Sequence, residues 1–164
     1  MNTMKEVKAL IRSFAYAIKG ICWGIRTQRN LRIHLVALLV ICLFNTLAGF
    51  SPIHWAVELL CCMVVIAMEL INSALEAACD AVTERHSAII GHAKDAAAGA
   101  VLVSAIGSVA VALLIFFSEE QYGKNVLAFF TAHIWALPGL IILAVLAALF
   151  VFLPAVKQER ERKK

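Results

Sequence analysis

Charge is scarce in this chain of 164 residues: only 16% are Asp, Glu, Lys or Arg. Soluble domains carry about a quarter charged residues, and about half apolar ones. Here 62% are hydrophobic, so a water-soluble globular domain is excluded as the first reading. Proline and glycine are also few, three and eight, which excludes collagen-like and low-complexity disordered chains. The five cysteines, Cys22, Cys42, Cys61, Cys62 and Cys79, show no C-x-x-C spacing. Most fall in apolar stretches, where cysteine behaves as a small hydrophobe. No disulfide framework or zinc site is expected. The length allows one domain at most.

What is present is long apolar runs. A bilayer core takes about 20 apolar residues per helix. Four stretches qualify: Ile33 to about Phe50, Ile53 to Cys79, Ala96 to Phe117, and Ile134 to Val156 with Pro138 near its start. Lys5, Lys8, Arg12, Lys19, Arg26, Arg29 and Arg32 precede the first stretch. The second loop holds Arg85 and Lys94, and the tail holds Lys157, Arg160, Arg162, Lys163 and Lys164. Lys124 alone falls on the other side. Basic residues mark the cytoplasmic side of a membrane protein. Four spans with both termini cytoplasmic, in an inner or plasma membrane, satisfy this rule, and three spans do not. The net charge of +4 thus reads as a topology signal, and no nucleic-acid partner is expected. The charged segment before the first span is too long for the n-region of a signal peptide, so none is expected to be cleaved.

Met4, Val7, Ile11, Phe14, Ile18, Ile21 and Ile25 recur every three or four residues. That periodicity predicts an amphipathic helix, and its basic polar face suits the membrane interface. Anchoring on anionic lipid explains this segment. A functional alternative turns Arg12, Tyr16 and Lys19 toward a site at the same interface.

The second span is the unusual one. It contains Glu58, Glu69, Asn72 and Glu76 and ends at Asp80. Acidic residues within a span are costly and mark functional candidates. At about 100° per residue, Glu76 and Asp80 lie about 20° to either side of Glu69, and Asn72 about 60° away. The four form a stripe about 16 Å long in the cytoplasmic half. Clustered carboxylates with an amide oxygen suit Mg²⁺ shared with phosphates, and a carboxylate at a lipid interface suits a general base. An ion path and a polar clamp between helices suit the same residues, so transport and catalysis both stand at this point. Glu58 shares the face eleven residues outward, where a structural role is expected, such as a contact between subunits. Lys94 and Asp95 close the following loop, and a lysine there can hold phosphate as a point charge. Ala96, Ala100, Ser104, Ser108 and Ala112 give the third span a small-residue stripe for close helix packing. The five histidines share no ligand spacing. Trp23, Trp55 and Trp135 fall near span ends, as in an aromatic belt.

The run from Glu69 to Asp80 fits E-x-x-N-S/T-A-I/L-E-x-x-x-D, and Ala93-Lys94-Asp95 follows. This long pattern resembles the signature of the prokaryotic diacylglycerol kinases, a family that includes undecaprenol kinases. Arg29-Asn30-Leu31-Arg32-Ile33-His34 resembles the family's segment before its first span. The resemblance covers about residues 10 to 117. It implies an all-α integral membrane lipid kinase, a homotrimer with active sites shared between subunits. It also implies transfer of phosphate from Mg·ATP to diacylglycerol or undecaprenol at the cytoplasmic interface. The chain has no P-loop or protein-kinase motif that would compete with this reading. By position, Glu69 is the expected general base, Asn72 positions the lipid hydroxyl or the phosphoryl group, and Glu76 holds Mg²⁺. Asp80, Lys94 and Asp95 would organise the nucleotide, with Tyr16 near the adenosine and Lys19 and His86 beside it. Many members carry Glu where this chain has Gln28, a metal position in the family. The expected division is 1–32 as interfacial helix, 33–117 as a three-span kinase core, and 118–164 as an extra span and basic tail. Two rivals remain: a small transporter relaying through Glu58 and Glu69, and a catalytically degenerate membrane scaffold, toward which Gln28 and the extra span point.

Overall fold

The computed structural model describes residues 3–82 and 87–152, and every regular element in them is a helix. The amphipathic segment forms α1, Thr3–Thr27. Its apolar face, including Met4, Ile11, Phe14 and Ile18, is exposed, as expected of a helix that lies in a lipid interface. Gln28 is extended and breaks the chain before α2, Arg29–Ala48. The interfacial helix thus ends five residues before the expected boundary at 32, and Arg29 to Arg32 belong to the first turn of a span.

Gly49 ends α2 at φ 72°, and its N–H and that of Phe50 both reach the Asn45 carbonyl. Glycine takes this left-handed position without the Cβ clash other residues suffer. The next helix, α3, runs unbroken from Pro52 to Val82. Proline at a first helical position leaves no extra donor unsatisfied, and Ser51 Oγ accepts the His54 N–H. A second long helix, α4, spans Ala88–Ser118. It begins eight residues before the stretch expected from hydropathy. Lys94 and Asp95 therefore stand within its second turn and not in a loop. The small residues of this helix allow it to make the largest helix pair of the chain with α3.

The segment after α4 differs most from expectation. A loop around Lys124 was expected, and the chain instead forms α5, Glu120–Ala132. Helix formers without glycine runs or proline fill this stretch, so local propensity outweighs its lack of a long apolar run. His133 ends α5, its ring stacked on Phe129 at 4.9 Å. The chain then turns by 106° into α6, Ala136–Phe152. Pro138 sits in the first turn of α6, where proline is tolerated. The fourth apolar stretch accordingly becomes helical as α6 two residues later than expected, and residues 153–156 of that stretch lie outside the described residues.

Three helices, α2, α3 and α4, are individually long and apolar enough to cross a membrane, and the α5–α6 pair makes a fourth if taken together. Their outward faces are apolar and exposed, the pattern of a multi-pass protein whose outer solvent is lipid. Tight packing is concentrated where Ala48, Phe50, Ile115 and Tyr122 form a buried cluster. This cluster lies at the end of α2 away from α1, called here the far end.

Candidate functional site

The polar stripe is carried by the half of α3 nearer α1, the site end. Because α3 is continuous, the spacing of its stripe is that of a helix and needs no loop to hold it. Glu69 is 2% exposed and Asn72 5% exposed. Asn72 Nδ2 donates to Glu76 Oε1 at 3.1 Å. Asn72 Oδ1 and Glu69 Oε2 are buried and have no hydrogen-bond partner among the described residues. Buried acceptors are ordinarily satisfied, so two orphan oxygens one turn apart signal a missing donor or cation. Ser73, 1% exposed, donates from Oγ to the Glu69 carbonyl at 2.7 Å, a local back-bond that ties the stripe's backbone.

One turn beyond Glu76, Asp80 pairs with Lys94 across the α3–α4 gap. The pair is partly exposed and lies where both helices leave the apolar zone. The structure thus brings Glu69, Asn72, Glu76, Asp80 and Lys94 into one line. Asp95 is exposed on the next position of α4.

The remaining expected residues stand apart. Tyr16 and Lys19 are exposed on α1, with Lys19 Nζ 5.8 Å from the Tyr16 ring centre. Gln28 occupies the α1–α2 joint, half-buried, its backbone N–H bonded to Gly24 O. His86 and the basic tail lie outside the described residues. Glu58 is 4% exposed, with Asn45 and His54 facing it.

A cation fits the stripe by its chemistry. The oxygens of Glu76, Asn72 and Glu69 are the hard donors Mg²⁺ takes, and two of them have no other partner. Among the described residues no three His, Cys, Asp or Glu side chains gather as a ready-made ion cage. Mg²⁺ often binds through one or two carboxylates with phosphate and water completing the shell, and the stripe offers that number.

Sequence reasoning did not identify two features. An open groove of about 230 Å³ runs between α1 and α3, lined by Ala17, Gly20, Trp23, Leu70 and Ala74. Its lining residue Leu70 directly follows Glu69 in α3, and the small residues Ala17 and Gly20 on one face of α1 were its signal. The other is Arg32, 3% exposed, which reaches the end of α6. A lone arginine among seven basic residues gave no sign of that contact.

The family profile described as "Prokaryotic diacylglycerol kinase" matches residues 15–116. The chain is 37% identical over 111 residues to the undecaprenol kinase of Bacillus subtilis, covering 68% of this chain and 90% of that protein. It is also 37% identical over 111 residues to the diacylglycerol kinase of Synechocystis, covering 67% of this chain. There the match spans only 63% of the relative's length. No solved structure matches.

Proposed function

Because the chain belongs to the prokaryotic diacylglycerol kinase family, and so to the lipid kinases, we propose that it transfers the terminal phosphoryl group of ATP to a membrane lipid alcohol. Diacylglycerol and undecaprenol are the two acceptors to test. The observation that carries this reading is the pair of buried, unpartnered oxygens on Glu69 and Asn72, one turn from Glu76.

Each step has a residue for it. The lipid chains lie in the groove between α1 and α3, with the hydroxyl at Glu69. Glu69 takes the hydroxyl proton as the lipid oxygen attacks the γ-phosphorus. The bond from that phosphorus to the β–γ bridging oxygen breaks, and ADP leaves. Asn72 orients the hydroxyl or the phosphoryl group. Glu76 and Asn72 would hold Mg²⁺, which neutralises charge on the phosphates. Lys94, steadied by Asp80, contributes a further positive charge. Phosphoryl transfer needs chiefly positioning and charge neutralisation, so this set suffices.

In this reading α1 is the interfacial helix, residues 33–117 are the catalytic core, entered through Arg29 to Arg32, and 118–164 are an addition. The site end faces the cytoplasm, where ATP is. The enzyme acts as a homotrimer with shared sites. Tyr16 and Lys19 are exposed on a single chain, where a neighbour's nucleotide can reach them. The relay alternative has less support, because Glu58 lies about 16 Å along α3 from Glu69 beneath the far-end cluster.

The test is a transfer assay from γ-labelled ATP in mixed micelles holding either lipid. Label on one lipid, reduced by about 10² to 10⁴ in Glu69→Gln as for loss of a general base, is the expected result. No label on either lipid from folded protein overturns the proposal.

A further inference from the structure

The family match ends at residue 116, so α5 and α6 lie beyond the part of the chain that the family profile describes. The structure fastens that segment to α2 at both ends. At the far end Asn125 Nδ2 donates to the Ala48 carbonyl at 2.7 Å. Tyr122, 3% exposed, packs against Phe50 with ring centres 4.4 Å apart. Its hydroxyl also bonds His54 Nδ1 of α3 at 2.8 Å. At the site end Arg32 Nη1 donates to the carbonyls of Phe150 at 3.1 Å and Val151 at 3.4 Å. Residue 154 is proline and has no N–H to give to the Phe150 carbonyl. A buried guanidinium supplies a donor there.

The lengths agree. Arg32 to Ala48 and Ala136 to Phe152 each rise about 24 Å. The start of α5 thus meets the end of α2, and the last turn of α6 meets its beginning.

The site-end fastening leads to the stripe. Arg32 neighbours Leu31, which is 1% exposed. A Cβ placed on Gly24 would stand 2.8 Å from Leu31 Cδ2 and 3.0 Å from Leu70 Cδ2. Leu70 follows Glu69. The end of α6, Arg32, Leu31, Gly24, Leu70 and Glu69 thus form one packed path with little slack.

We infer that α5–α6 is a brace for the kinase site and that Arg32 is a positioning residue through which it acts. The brace fixes α2 at the Gln28 joint, and so fixes how α1 carries Tyr16, Lys19 and Gln28 toward the nucleotide. This rests on the kinase reading above. Glu69, Asn72, Glu76 and Asp80 all ride on α3, so the brace governs nucleotide binding more than the chemical step.

The experiment uses the full chain with a protease site inserted between Ser118 and Glu119, cut after assembly in micelles. The fragment from 119 onward is expected to stay bound, with the KM for Mg·ATP unchanged. Arg32→Met in the cut protein should release the fragment and raise that KM about three- to tenfold, the range of coupling through a packed network, with kcat at saturating ATP within about twofold. Arg32→Lys, which still donates to carbonyls, should retain the fragment and the KM. A chain ending at Ser118 should show the raised KM already, and Arg32→Met should add nothing to it. An equal effect of Arg32→Met in the short and full chains overturns the inference. So does a short chain with the full chain's KM, or a fall in kcat alone. Fragment release is read without any activity, so failure of the kinase reading is separately visible as absent transfer by the uncut chain.

Discussion

At the scale of single residues, the site depends on where hard oxygens lie and how many carry charge. Gln28 stands at the α1–α2 joint, at the position where the resemblance leads to an expectation of Glu. Gln28→Glu adds one anion at the joint without changing side-chain length. It should keep the activity and lower the Mg²⁺ concentration giving half-maximal rate, as a titration of transfer rate against Mg²⁺ would show. Loss of activity would mean that the residue does not face the metal. The stripe of Glu69, Asn72, Glu76 and Asp80 was legible in the sequence because helical spacing alone aligns it. The pairing of Asp80 with Lys94 was not, since fourteen positions and a helix turnaround separate them. Nor was Arg32, whose partners are backbone carbonyls 118 and 119 positions away and leave no trace in side-chain patterns.

At the scale of elements, the spans were legible because long apolar runs admit little but helices in lipid. Their ends were less so. Hydropathy marks where charge begins, and a helix carries on through charged turns into water, as α4 does from Ala88. The α5 helix was missed because a short amphipathic stretch resembles a loop to a search for apolar runs. Its docking depends on the turn after α2. Gly49 has a positive φ, and a Cβ there would also stand 3.1 Å from Asn125 Nδ2. Gly49→Ala should therefore cost about 1 to 2 kcal/mol and loosen α5. Thermal unfolding in detergent should shift downward, and an unchanged midpoint would show that the turn relaxes freely.

At the scale of the whole molecule, four spans would put both chain ends on one side, and three would not. Cysteines introduced singly at Lys5, Gln121 and Lys164, with the native cysteines replaced, test this in intact cells. An impermeant maleimide should label position 121 from outside and reach 5 and 164 only after permeabilisation. Labelling of 164 from outside would leave three spans and place α5–α6 on the surface. The unbroken α3 has a last consequence. Its 31 residues make a rod about 46 Å long, longer than the roughly 30 Å hydrocarbon layer, with the base and the nucleotide contacts marked on it at fixed heights. On the proposed function the rod would work as a depth gauge, selecting among amphiphiles by the level at which their hydroxyl floats, so that the membrane carrying the substrate would also set its height against the enzyme.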